Sequence, residues 1–141
     1  MLRYETKDVA GRLHSAAIRL LRTLRREDDS SGLSAPRLSA LSVIVFSGPI
    51  SLARLAEAEQ VRPPTMSRIV DGLVESGHVT RQVDPADRRS VRIAATEEGT
   101  RLLDAGRERR VRALTERLSR LAESERRALA RGVEILERVL R

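Results

Sequence analysis

The segment Arg81-Gln82-Val83-Asp84-Pro85-Ala86-Asp87-Arg88-Arg89-Ser90-Val91-Arg92-Ile93-Ala94-Ala95-Thr96-Glu97-Glu98-Gly99 divides into two β-rich runs around a polar turn. His78 to Val83 and Ser90 to Ala95 carry enough alternation and β-branching for two antiparallel strands. Asp84-Pro85 supplies the turn between them, and Asp87-Arg88-Arg89 puts arginine at the far end of the hairpin. Thr96 is placed to cap a following helix, and Glu97 and Glu98 in its first turn suit the positive end of the helix dipole.

Immediately upstream, Gly77 stands where a helix ends in a left-handed residue. The helix it closes is predicted over about residues 63–76. Met66, Ile69, Val70 and Leu73 fall on one face at i, i+3, i+4 and i+7, while Pro64, Ser67, Arg68 and Asp71 fall on the other. One side packs and the other is free to touch something. Pro63-Pro64 is harmless in the first turn, where the missing N–H has no intrahelical partner anyway. Before the turn Gln60-Val61-Arg62-Pro63, Ser51 can cap a short helix through about Ala58, with Leu52, Leu55 and Ala56 as its narrow apolar face. A further helix starts near Ser34, tolerates Pro36 in its first turn and stops at Gly48-Pro49. Its run Val43-Ile44-Val45-Phe46 is apolar on all sides, which predicts deep burial.

The two ends of the chain read as long amphipathic helices. Val9, Leu13, Ala16, Ala17, Leu20, Leu21 and Leu24 recur at helical spacing over about residues 6–27, and Glu27-Asp28-Asp29-Ser30-Ser31-Gly32 forms the loop that follows. Beyond Thr96 a helix over about 97–120 carries Val111, Leu114, Leu118 and Leu121. A last one near 123–141 carries Leu129, Val133, Leu136, Val139 and Leu140. A chain of this size offers such helices little to bury against, so their apolar faces predict contact with another molecule.

A length of 141 residues fits one domain with a core that needs no staples. The absence of cysteine removes disulfides, zinc–thiolate sites and thiol redox sensing. No run approaches the roughly 18 apolar residues of a membrane span. Residues 1–8 have mixed charge and no apolar stretch, so no secretory signal is expected and a cytoplasmic protein is. The net charge of +7 is unevenly placed. Eight basic residues face five acidic ones over 1–48, seven face eight over 49–99, and twelve face seven over 100–141. Within the middle third, the hairpin alone is locally basic. All the basic residues but Lys7 are arginines.

Two short helices followed by an arginine-tipped hairpin form a winged helix-turn-helix, the module that places a helix in the major groove and the hairpin in the minor groove. The fold class is thus mainly α with a small β-wing. A groove-reading helix needs polar reach near its N-terminal half and an apolar back, and Arg62, Thr65, Ser67 and Arg68 supply the reach. Arginine at the hairpin tip suits the negative potential of the narrow minor groove, and Asp87 is placed to hold the Arg89 guanidinium.

The run Val61-Arg62-Pro63-Pro64-Thr65-Met66-Ser67-Arg68-Ile69-Val70-Asp71-x-Leu73-x-x-x-Gly77, then Asp84-Pro85-x-Asp87-Arg88-Arg89 leading into Ala95-Thr96-Glu97-Glu98-Gly99, resembles the MarR family of bacterial regulators. Ala95 departs from the leucine usual there, which thins local packing without abolishing the wing. The resemblance implies a single MarR-type domain over 1–141, with residues 34–99 as the DNA-binding lobe and 1–33 and 100–141 as dimerisation helices. It maps Arg62, Pro63, Thr65, Ser67 and Arg68 to the recognition helix and Arg88 and Arg89 to the wing, with Asp87 as orienting partner. It further implies a homodimer on a pseudo-palindromic operator in double-stranded DNA. Repression would be relieved by a small anionic or phenolic ligand lodged between the dimerisation and DNA-binding parts.

The acidic balance of residues 49–99 motivates one alternative, a winged scaffold that binds a protein partner without specific DNA binding. An enzyme is not expected, since no nucleophile and base pair, glycine-rich phosphate loop or carboxylate dyad emerges. No cofactor is expected either. No His/Asp/Glu set has metal-ligand spacing, and His14 and His78 are assigned no site.

Overall fold

The computed structural model describes residues 5–141; Tyr4 and the first part of the segment read for a leader lie outside the described residues. Helix α1 (Thr6–Asp28) is followed by a single 3₁₀ turn (Asp29–Ser31), then α2 (Ala35–Ser47), β1 (Ile50–Ser51), α3 (Leu52–Ala58) and α4 (Pro63–Glu75). Strands β2 (Val79–Val83) and β3 (Val91–Ala95) form the hairpin, and α5 (Glu97–Leu118) and α6 (Glu123–Val139) complete the chain. No helix among the described residues is long and apolar enough to cross a membrane.

One core serves the middle of the chain. Leu41 and Ile44 from α2, Leu55 from α3, Met66, Val70 and Leu73 from α4, and Val79 and Ile93 from the sheet are all buried together. At about 1.5–3 kcal/mol for each fully buried large aliphatic side chain, this cluster dominates the stability of the lobe. The apolar stripe expected on α4 is the one that packs, with Ile69 half-buried at its margin.

Three features differ from the sequence expectation. The sheet has three strands in the order β1-β3-β2, because Ile50 pairs with Ile93 and Ser51 with Arg92. Two residues are too few for any alternation to register. The loop after α1 tightens into one 3₁₀ turn and reverses at Gly32, which holds a positive φ of 74°. Phe46 is 88% exposed rather than buried. Helical residues are spaced about 100° apart, so four in a row cannot all face one side. Ile44 takes the core, Val43 and Val45 flank it, and Phe46 projects outward.

The turn out of α4 is a Schellman motif. Gly77 adopts a φ of 79°, its N–H donates to the Val74 carbonyl at 3.0 Å, and the His78 N–H donates to the Leu73 carbonyl at 2.9 Å. The next residues are tied to the start of α5. Thr96 N–H donates to the His78 carbonyl at 3.0 Å, and the Thr96 hydroxyl donates to the Gly77 carbonyl at 2.7 Å. The same hydroxyl accepts the Gly99 N–H at 3.1 Å, as the helix cap expected from the sequence. Gly99 is buried so closely under the His78 carbonyl that a Cβ there would collide with the oxygen. Because the obstacle is backbone, Gly99→Ala is expected to destabilise the fold by about 1–3 kcal/mol. The midpoint of chemical unfolding measures this, and an unchanged midpoint would show that the corner is slack.

Candidate nucleic-acid interface

Helix α4 begins at a tight turn in which Gln60 holds a φ of 55°, the sole non-glycine with positive φ among the described residues. Arg62 is the extended N-cap residue, Pro63 and Pro64 occupy the first turn, and Met66 N–H donates to the Arg62 carbonyl at 3.0 Å. Arg62, Pro63, Thr65 and Arg68 are exposed on the outward face, whereas Ser67 is half-buried at its edge. Behind α4, the Arg37 guanidinium of α2 lies against Gly72, where a Cβ would collide with it. That contact ties α2 to the middle of α4.

The hairpin tip is organised by two aspartates. Asp84 accepts the Ala86 N–H at 2.9 Å and the Arg92 Nε–H at 3.0 Å, and its own N–H donates to the Ser90 carbonyl at 2.9 Å. Asp87 accepts the Arg89 N–H at 3.0 Å. The sequence reading put Asp87 on the Arg89 guanidinium. The structure instead has it orient the backbone, because a carboxylate two residues ahead reaches an amide more readily than the end of a long side chain. Arg88 and Arg89 are exposed and enter no ion pair among the described residues.

The two elements are joined directly. Asp71 on the outward face of α4 pairs with Arg81 of β2. Neither the pair nor the Arg37 contact was legible in the sequence. Asp71 and Arg81 lie on either side of the Gly77 turn, and no local spacing rule couples a helix position to a strand position. The ion pair neutralises Asp71, while Glu75 at the end of α4 stays exposed and Arg68 enters no ion pair among the described residues.

A separate cavity of about 600 Å³ opens between α1, α2 and α5. Leu21, Leu24, Leu38 and Leu103 give it aliphatic walls, and Arg25, Asp28, Asp29 and Arg110 are its charged lining. Arg110 is engaged with Asp28, and the Arg109 Nε–H donates to the Glu27 carbonyl at 3.2 Å, so α5 binds the C-terminal end of α1.

A bound Ala86 amide holds the Asp84 carboxyl below the ordinary carboxylate range, and Arg92 adds to the effect. A lowered folded-state pKa means that Asp84 supports the wing fully above its unfolded pKa. The support fades as pH falls through the lowered value. In an NMR titration the Ala86 amide resonance should therefore move with a midpoint below that of a free aspartate, and the movement should vanish in Asp84→Asn. A midpoint within the ordinary range would mean that the tip is not held in this way.

Comparison with known proteins places this geometry. The model of the MarR family matches residues 33–91. An HTH-type transcriptional regulator of Mycobacterium tuberculosis is 38% identical over 128 residues, covering 91% of this chain and 90% of that protein. The crystal structure of RV1404 from Mycobacterium tuberculosis is similar at a TM-score of 0.80 and 27% identity, covering 96% of this chain and 94% of that one. The fold is also shared, at a TM-score of 0.72 and 17% identity over 94% of this chain and 98% of the other, with a MepR variant of S. aureus bound to an oligodeoxyribonucleotide.

Proposed function

This chain belongs to the MarR family of transcriptional regulators, and we propose that it acts as a cytoplasmic homodimeric repressor reading a pseudo-palindromic operator in double-stranded DNA. One observation carries the reading. Arg62 and Arg68 on α4 and Arg88 and Arg89 on the wing face solvent with no acidic partner among the described residues, on two elements joined by the Asp71–Arg81 pair. Residues 34–99 serve as the DNA-binding lobe. Arg62, Pro63, Thr65 and Arg68 address the major groove, with Ser67 at the margin, and Arg88 and Arg89 address the minor groove on a tip that Asp87 shapes.

Residues 1–33 and 100–141 serve as the dimerisation arms. Helix α6 has no buried residue and leaves Leu129, Val133, Val139 and Leu140 exposed, the last at 81%; α1 likewise leaves Val9, Leu13, Leu20 and Leu21 exposed. Surfaces of this kind in helices are covered by a second copy far more readily than by water. The cavity beside α1, α2 and α5, with its aliphatic wall and a polar lining of Arg25, Asp28, Asp29 and Arg110, is the place a small anionic or phenolic ligand would occupy to release DNA.

The test uses a duplex selected from the source genome by the protein itself, titrated at fixed moderate salt. Arg68→Ala and Arg89→Ala are each expected to cost about 1–3 kcal/mol of binding. The wing change should weaken all sequences together, and the helix change should relax base preference. Full affinity in both variants would remove the assigned contacts. In sedimentation, the wild-type protein is expected at twice the monomer mass, and Val133→Glu at the monomer mass with weakened operator binding. A wild-type monomer would sink the arm assignment.

A further inference from the structure

A second concave site lies at the outer root of the wing, a cleft of about 430 Å³ between the α2–β1 corner, the start of α3 and strand β3. Its polar lining consists of Ser47, Ser51, Arg54, Ser90 and Arg92, and no carboxylate belongs to it. The pairing of β1 with β3 creates it. Ser51 lies opposite Arg92 in the sheet, and Arg54 follows in the first turn of α3, its N–H held by the Ser51 hydroxyl at 3.3 Å. Two guanidinium groups thereby line one hollow.

Their free valences are what matter. Arg54 is exposed and enters no ion pair among the described residues. Arg92 spends its Nε–H on Asp84, which leaves its terminal nitrogens for another acceptor. Arg54 brings an unneutralised charge to the hollow, and the terminal nitrogens of Arg92 add donors, so an oxyanion seated there forms charge-assisted hydrogen bonds with both. Guanidinium geometry matches phosphate better than a spherical halide. Arg92 also follows Arg89 of the wing-tip turn by only three residues, so an extended polyanion that meets the tip passes close to the cleft.

We infer that this cleft seats one phosphate group of the DNA backbone, a contact separate from the α4 face and from the wing tip. The inference rests on the DNA-binding reading above. Seating a backbone phosphate adds affinity and fixes register without reading sequence. It also gives α3, whose role is otherwise to support α4, a direct hold on the duplex. Free inorganic phosphate shares the same chemistry, and the experiment separates the two sources.

The full-length protein is titrated with operator and with unrelated duplex over a series of salt concentrations. Arg54→Ala should lose affinity on the order of tenfold for both duplexes, and the slope of log K against log salt should shrink by about one. Arg54→Lys, which keeps the charge, should keep the slope. Ethylation interference should reveal a backbone phosphate whose modification weakens the wild-type protein and leaves Arg54→Ala indifferent. An unchanged slope in Arg54→Ala overturns the inference. So does a cleft that titrates with inorganic phosphate by NMR while DNA binding is indifferent to the substitution. Arg89→Ala is the reference: a reduced slope there with none for Arg54→Ala discards the cleft alone, and no reduction in either discards the DNA reading with it.

Discussion

The hydroxyl of Thr96 holds the molecule's working parts in register. It donates to the carbonyl of Gly77 and accepts the amide of Gly99, while its own amide binds the His78 carbonyl. Three segments therefore meet at one residue: the end of α4, the start of β2 and the start of α5. Each hydrogen bond is worth only about 0.5–1.5 kcal/mol, but together they leave the corner without a spare rotation. The corner closes because residue 77 adopts a positive φ and residue 99 has no side chain. The angle between α4 and the wing follows from that closure, and so does the direction in which α5 leaves toward the rest of the protein.

Charge works at a similar scale. Residues 34–99 carry as many acidic as basic residues, which argues against a simple electrostatic attraction to DNA. The structure resolves the difficulty by giving the acids near the exposed face internal work. Asp71 is paired with Arg81, Asp84 with Arg92 and the Ala86 amide, and Asp87 with the Arg89 amide. Glu75 stays unpaired at the end of α4, and Arg62, Arg68, Arg88 and Arg89 likewise enter no ion pair among the described residues. Ion pairs this exposed contribute little to stability, about 0–1 kcal/mol each, so their larger effect is on what the surface presents to a polyanion.

Much of this was legible in the sequence, for identifiable reasons. The α4 stripe, the Ser51 and Thr96 caps, the Gly77 turn and the wing strands are all local patterns with a period or a capping chemistry. Contacts between elements left no such trace. Strand β1 is two residues long, and Asp71 finds Arg81 only because a Schellman turn folds the chain back. Arg37 meets Gly72 across two helices. The misreading of Phe46 has a different origin. An unbroken apolar run predicts burial on all sides, whereas a helix packed on one layer must leave one of four consecutive residues outside.

The same inter-element contacts constrain how the cavity and the DNA face can communicate. Leu38 of α2 and Leu103 of α5 both line the cavity, and Arg37, the neighbour of Leu38, lies flat on Gly72 of α4. Interiors packed at crystal-like density do not absorb such shifts locally. An occupant that moved the start of α2 would shift Arg37 against Gly72, a contact made through the end of a flexible side chain. Along the other route, α5 runs from the cavity wall at Leu103 back to the Thr96 corner within two turns of helix. Both paths end on α4, one at its middle and one at its end. A displacement of either helix would thus reach α4, which the exposed Asp71–Arg81 pair ties to the wing.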